Sequence, residues 1–262
     1  MTRRGLFWGS VILLLGVLLL LQTLGILSFN VWPIFWALFL IFLGVWFLLR
    51  SRSRGQFTTE SLSIPRNGAV QASVEIQHGA GRLIVGALTG GDALLEGSFT
   101  GGVSQVVQPG AQMRVKLNPN PDFRVDFPWN WPEGLRWDVR LTRDIPLDLI
   151  FRTGAGESEI DLTDLDVKSV RLKTGASSSR LMLPARAGRT RAEVKGGLAS
   201  VNMIVPQGVA ARIQLQTGLT GNNIDTNRFP LVGGVYQSSD YDSAVNKVDI
   251  FVEGGMGSFD VR

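Results

Sequence analysis

Residues 171–183 read RLKTGASSSRLML. Polar and apolar side chains alternate, a glycine interrupts with a run of small residues, and the alternation then resumes. Alternation is the period of a strand with one buried face. The small-residue run has two readings. A phosphate-cradling loop needs glycines whose backbone amides converge, followed by a helix and usually a lysine. A corner needs only small residues between two strands.

Five further segments superpose on the same glycine. They are VEIQHGAGRLIV at Gly79, LIFRTGAGESEIDL at Gly154, AEVKGGLASVNMIV at Gly197, IQLQTGLTGNNID at Gly218 and IFVEGGMGSFDV at Gly255, beside Gly175 of the first. The residues five and three before the glycine are apolar in every copy: Val74/Ile76, Leu149/Phe151, Val170/Leu172, Ala192/Val194, Ile213/Leu215 and Ile250/Val252. So is the residue six after it: Val85, Ile160, Leu181, Met203, Ile224 and Val261. Gly154, Gly175, Gly197 and Gly218 are spaced by 21, 22 and 21 residues. A fixed period near 20 marks a stacked repeat in which each unit buries its apolar face against its neighbours. Strands follow the small residues in each copy, so TGASSS reads as a corner, with the glycine supplying the backbone angles. Leu172, Leu181, Val194, Met203 and Leu215 are expected to face one continuous core. The intervening Arg171/Lys173, Glu193/Lys195 and Gln214/Gln216 should form outward polar ladders.

Two stretches break the repeat. Residues 226–246 read as a hairpin or loop inserted before the last unit. Residues 118–137, NPNPDFRVDFPWNWPEGLRW, hold four prolines that forbid an interior strand or helix. Phe127, Trp129 and Trp131 crowd this loop, either capping the edge of the stack or forming an exposed contact patch.

The N-terminal part differs in kind. No charged residue lies between Gly5 and Leu49. Residues 6–27 and 31–49 are each long enough to span a bilayer as a helix, which takes about 20 apolar residues. Only Ser28, Phe29 and Asn30 separate the two runs, so residues 1–54 read as a transmembrane hairpin and residues 55–262 as an all-β domain. The first run is too long for a signal-peptide core, and a second span follows at once. Arg3, Arg4, Arg50, Arg52 and Arg54 flank the spans, while the turn has no basic residue. That asymmetry puts both termini and the β-domain in the cytoplasm.

The basic excess belongs to this boundary. Taking those five from the 26 basic residues, and none from the 22 acidic ones, leaves residues 55–262 at a net charge of −1. No basic stripe with interleaved aromatics marks a nucleic-acid face. Cysteine is absent, which excludes disulfides, thiolate nucleophiles and cysteine metal sites. His78 is the only histidine, and it reads as a polar residue at a strand end. Glu157, Glu159, Asp161, Asp164 and Asp166 are close in sequence but lack calcium-loop spacing, so they read as a solvated loop. No catalytic residue, metal site or cofactor is expected.

The run RRGLFWGSVILLLGVLLLLQTLGIL followed by WPIFWALFLIFLGVWFLL resembles the membrane module of LiaI/LiaF-like proteins. Residues 154–213 resemble the β-domain of LiaF-like, or toastrack, proteins. The resemblance covers the hairpin and most of residues 147–262. It implies a non-catalytic regulator of the bacterial cell-envelope stress response. Its implied partners are the lipid bilayer and another membrane protein such as a histidine kinase, with room for a homo-oligomer. The alternative reading is a structural, adhesin-like β-solenoid displayed on the cell surface. The expected fold is thus a two-helix transmembrane hairpin plus a β-solenoid or stacked β-sandwich of about 21-residue repeats.

Overall fold

The structure is a computed structural model. It describes residues 58–120 and 135–262, together with seven helical residues between Trp36 and Gly44. Leu40 and Ile41 on that helical stretch are exposed apolar side chains, and Trp36 meets Phe39 edge to face. Among the described residues no helix is long and apolar enough to cross a membrane. The expected spans and the five flanking arginines lie, apart from those seven residues, outside the described residues.

Six long strands each carry one of the six glycines: β2 (Gln71–Ala87), β7 (Leu147–Asp161), β8 (Val167–Met182), β9 (Arg189–Ile204), β10 (Ala210–Ile224) and β13 (Lys247–Val261). They pair in parallel in the order β2-β7-β8-β9-β13-β10. The expected all-β stack is what forms. No helix follows TGASSS; β8 runs straight through it.

Each long strand changes phase at its glycine. In β7, Leu147, Leu149, Phe151 and Thr153 are buried, and then Ser158 and Ile160. Odd positions face inward before the corner and even positions after it, yet both sets join one core. The two arms of each strand therefore bend over a shared interior. In five copies all three register positions are at most 2% exposed. In β10 only Ile213 is; Leu215 and Ile224 are half-buried against the core.

The remaining strands build a seventh, disguised unit. β5 (Gln112–Pro119) runs parallel to the first arm of β2, and β6 (Arg136–Leu141) runs parallel to its second arm. Val115 and Leu117 align with Val74 and Ile76, and Val139 aligns with Val85. The Pro/Trp-rich stretch thus does not simply break the repeat. In sequence it separates this unit's two arms, with Pro119 ending one and Leu135 preceding the other. Antiparallel β4 (Val103–Gln108) extends β5, while β3 (Ala93–Thr100) and β1 (Thr59–Pro65) extend β6. Residues 121–134, with Phe127, Trp129 and Trp131, lie outside the described residues.

Residues 226–246 hold a small hairpin, as expected, of β11 (Leu231–Val232) and β12 (Val235–Gln237). Arg228 donates to the carbonyls of Val205 and Pro206, both at 2.6 Å, and Phe229 is buried. This connection lets the last unit, β13, slot between β9 and β10, so spatial order departs from sequence order.

Candidate functional site

The six glycines form one column along the outer corner of the stack. A Cβ on Gly154 would lie 2.2 Å from the Gly79 carbonyl oxygen, and one on Gly175 would lie 2.6 Å from that of Gly154. The series continues from Gly197 to Gly175 at 3.4 Å, from Gly255 to Gly197 at 3.2 Å and from Gly218 to Gly255 at 3.0 Å. This corrects the expected reason for the glycines. None of the six has a positive φ; at Gly154 and Gly175, and less tightly at Gly218 and Gly255, the neighbouring backbone crowds the place of a side chain. The unusual torsion sits two residues later, at Gly81, Gly156 and Gly257, with φ of 111°, 125° and 136°. The signal for those second glycines was the pairing of glycines in GAG and GMG.

Inside the corner, small hydroxyls satisfy one another. Thr153 Oγ1 donates to Thr174 Oγ1 at 3.1 Å, Thr174 bonds Ser177, and Ser177 lies 3.4 Å from Ser179. This answers the question posed by TGASSS. Its hydroxyls line a bend and bind each other, as buried polar groups must.

His78 occupies the same inward position as Thr153 and Thr174, one residue before the column glycine. The strand-end reading is therefore wrong. His78 lies within β2, is 5% exposed, and packs on Trp137 with ring centroids 5.0 Å apart. Trp137 in turn meets Phe99 edge to face. Nε2 of His78 has no hydrogen-bond partner, and burial pushes the imidazole pKa down to about 4. A buried ring against aromatics, with no acid or nucleophile bonded to it, is not arranged as a general base. The signal that could have placed it was the inward phase of its strand.

The outer faces carry compensated charge. Arg171 Nε donates to Glu193 at 2.9 Å and Arg191 Nε donates to its other oxygen at 3.0 Å. The hydrogen bond from Arg171 is the main reason Glu193 titrates below the ordinary carboxylate range. Arg152 bonds Glu75 at 2.8 Å and Lys195 pairs with Glu253. These bear out the polar ladders. Arg152, Lys173 and Lys195 also rim a shallow groove over the exposed glycine backbone.

The acidic run is not one solvated loop. Glu157, Glu159 and Asp161 belong to β7, and only Asp164 and Asp166 fall in the turn after it. Glu159 pairs with Arg82 at 3.5 Å, Asp161 accepts from the Thr163 amide at 3.0 Å, and Asp166 pairs with Lys168 at 2.7 Å. Among the described residues no group of three His, Asp or Glu side chains could hold a metal ion.

Comparison with known proteins fits this architecture. Residues 53–204 match the family described as the N-terminal domain of toast_rack, and residues 7–63 match the LiaF transmembrane domain. Neither is an enzyme family. A solved protein named for cell adhesion, from Clostridium sporogenes, is similar over 79% of this chain and 99% of its own, at 18% identity and a TM-score of 0.70. That likeness shows the fold alone. A second, named as an adhesin of Bacteroides fragilis, covers 79% of this chain and 98% of its own at 7% identity and a TM-score of 0.35, too low to carry an argument. No curated protein matches the chain.

Proposed function

Because the chain belongs to the toast_rack N-terminal domain family and is a LiaF-like membrane protein, we propose that it is a non-catalytic regulator of the bacterial cell-envelope stress response. The observation that carries this reading is the overlap of the two family matches at residues 53–63. The two matched ranges leave no room in sequence for a long linker, and in this reading a change within the bilayer is read out by the β-domain. The described residues offer ladders and grooves for binding. The chain's partner in this reading is another membrane protein, of which a histidine kinase is the type the family resemblance implies.

The arginines on both sides of the apolar segment support cytoplasmic termini. The surface-displayed, adhesin-like reading places the β-domain outside. The two separate cleanly by fusion after Arg262. A reporter active only in the cytoplasm should be fully active, and one active only outside should be silent. The reverse pattern would overturn the regulatory reading in favour of surface display.

A further inference from the structure

The register of the long strands assembles a two-sided edge at the corner that no single stretch of chain carries. Just after the glycine column, Ala155, Ala176, Leu198 and Met256 hold successive rungs on β7, β8, β9 and β13. Ala176 is exposed, Leu198 is 60% exposed and Met256 51%. Two residues before the column, Arg152, Lys173 and Lys195 hold matching rungs on β7, β8 and β9. An apolar ridge thus runs beside a basic row, with glycine backbone between them.

The basic row is short of carboxylates. Neighbouring strands lie about 4.8 Å apart, so three like charges in register repel one another. Arg152 bonds Glu75, and Lys195 pairs with Glu253. Further from the corner, Arg171 and Arg191 both reach Glu193, and Arg189 reaches Asp249. Among the described residues no carboxylate pairs with Lys173, which stands between the other two cations. Positive charge is therefore uncompensated at the corner, although residues 55–262 carry −1 overall.

The chain also enters the domain at its corner. The apolar run ends at Leu49 and β1 begins at Thr59, so the connection reaches about 35 Å at most. Glu60 pairs with Phe99, Phe99 with Trp137 and Trp137 with Leu83, four residues past Gly79. At the other end of β1, Ile64 is level with Leu95, Leu141 and Ala87. The first arm of β13 starts at Lys247, eight residues before Gly255, which puts the far end of the arms about 25 Å from the corner.

We propose that the corner docks on the anionic headgroups of the bilayer that anchors the chain, with Leu198 and Met256 entering the interface and Arg152, Lys173 and Lys195 meeting lipid phosphates. Apolar side chains beside basic ones suit that layer: the first leave water, the second meet lipid charge, and the two contributions add. A second copy of the chain would bring its own basic row to this edge, adding like charge where charge already lacks a partner. The docking rests on the membrane domain and is independent of any signalling partner.

The chain has no cysteine, so one introduced thiol carries one probe. Leu198→Cys places a nitrobenzoxadiazole label on the ridge. Val245→Cys, at an 84% exposed position two residues before β13, places it at the far end of the arms. Both full-length variants are reconstituted into vesicles of phosphatidylcholine with phosphatidylglycerol, and of phosphatidylcholine alone. In the anionic vesicles, quenching by a headgroup-spin-labelled lipid should be at least about threefold stronger at Leu198 than at Val245, since about 25 Å separates the two levels. It should fall in phosphatidylcholine alone, and in salt of about 1 M, where the screening length is about 3 Å. Met256→Cys repeats the reading on the next strand where Leu198→Cys fails to fold.

Lys173→Glu supplies the opposing arm. It sets a carboxylate between Arg152 and Lys195, so the thermal transition should not fall. The ratio of docked to free domain should drop about tenfold, because two units of charge are lost at the surface. Equal quenching at Leu198 and Val245 in the anionic vesicles overturns the proposal. So does quenching at Leu198 that ignores both phosphatidylglycerol and Lys173→Glu. Shielding of the label that grows with protein density in phosphatidylcholine alone would identify a second copy. Shielding in native membranes but not in lipid vesicles would identify a protein partner. Either overturns the proposal equally.

Discussion

Gly156→Ala is expected to cost the β-domain about 4 kcal/mol, a large share of the stability a domain of this size holds. Two causes add. The new Cβ would stand 2.1 Å from the Gly81 carbonyl oxygen, where only backbone movement gives relief, and φ at Gly156 is 125°. Gly154→Ala separates them. Its φ is ordinary, but its Cβ would lie 2.2 Å from the Gly79 oxygen, so a loss of about 3 kcal/mol is expected from crowding alone. Gly79 starts the column and has nothing within 4 Å of its Cβ position. Gly79→Ala should therefore stay within about 0.5 kcal/mol of the parent, or gain slightly through the unfolded chain. Urea unfolding of residues 56–262 measures all three. Similar losses for Gly79→Ala and Gly154→Ala would show that the corner needs torsional freedom, not room.

A second large effect belongs to pH. His78 titrates at about 4 in the fold against an ordinary value of 6.5. Between those values the unfolded chain binds a proton that the folded chain refuses. Stability therefore rises with pH through this window, by about 1.4 kcal/mol per unit. It is complete above 6.5, and about 3 kcal/mol has gone by pH 4. The mechanism is desolvation: a charged imidazole against Trp137 has no partner and little water. Glu193 loses its contribution only below the ordinary carboxylate value of 4.5, because its pKa is depressed by the bond from Arg171. Above pH 4.5 the loss therefore belongs to His78 and not to Glu193. His78→Leu keeps an apolar body of similar bulk, and at neutral pH it should stay within about 1.5 kcal/mol of the parent. Its stability should be flat from pH 6.5 to 5. An unchanged slope in the variant would assign the acid sensitivity to other groups.

The stack was legible because its signal is local. A side chain every second residue, the phase reset at a glycine, and a spacing near 21 residues are all properties of one stretch of chain. Leu172, Leu181, Val194 and Met203 fell into the core from that pattern alone, and Leu215 packs against it. The unit made of β5 and β6 was hidden because residues 121–134 separate its arms and carry the eye away from Val115, Leu117 and Val139. The insertion of β13 was hidden because parallel neighbours are chosen by long-range packing, which no local spacing records. His78 departs from its expected place for a different reason. Its chemistry suggests a solvated polar residue, whereas its place in the inward phase of β2 implies burial. The apolar ridge of Leu198 and Met256 was invisible because its rungs become neighbours only after the stack has formed.

The regulatory account rests most directly on what the chain does to signalling in a living cell. The measurement is the output of an envelope-stress promoter across a dose series of a wall-targeting antibiotic. Cells carrying the chain, lacking it, or expressing only residues 55–262 would be compared. Loss of the chain should shift the resting output or the dose that triggers it. The full-length protein should restore both, and residues 55–262 alone should not, because the β-domain acts from the membrane. A dose response that is identical with and without the chain would contradict the account.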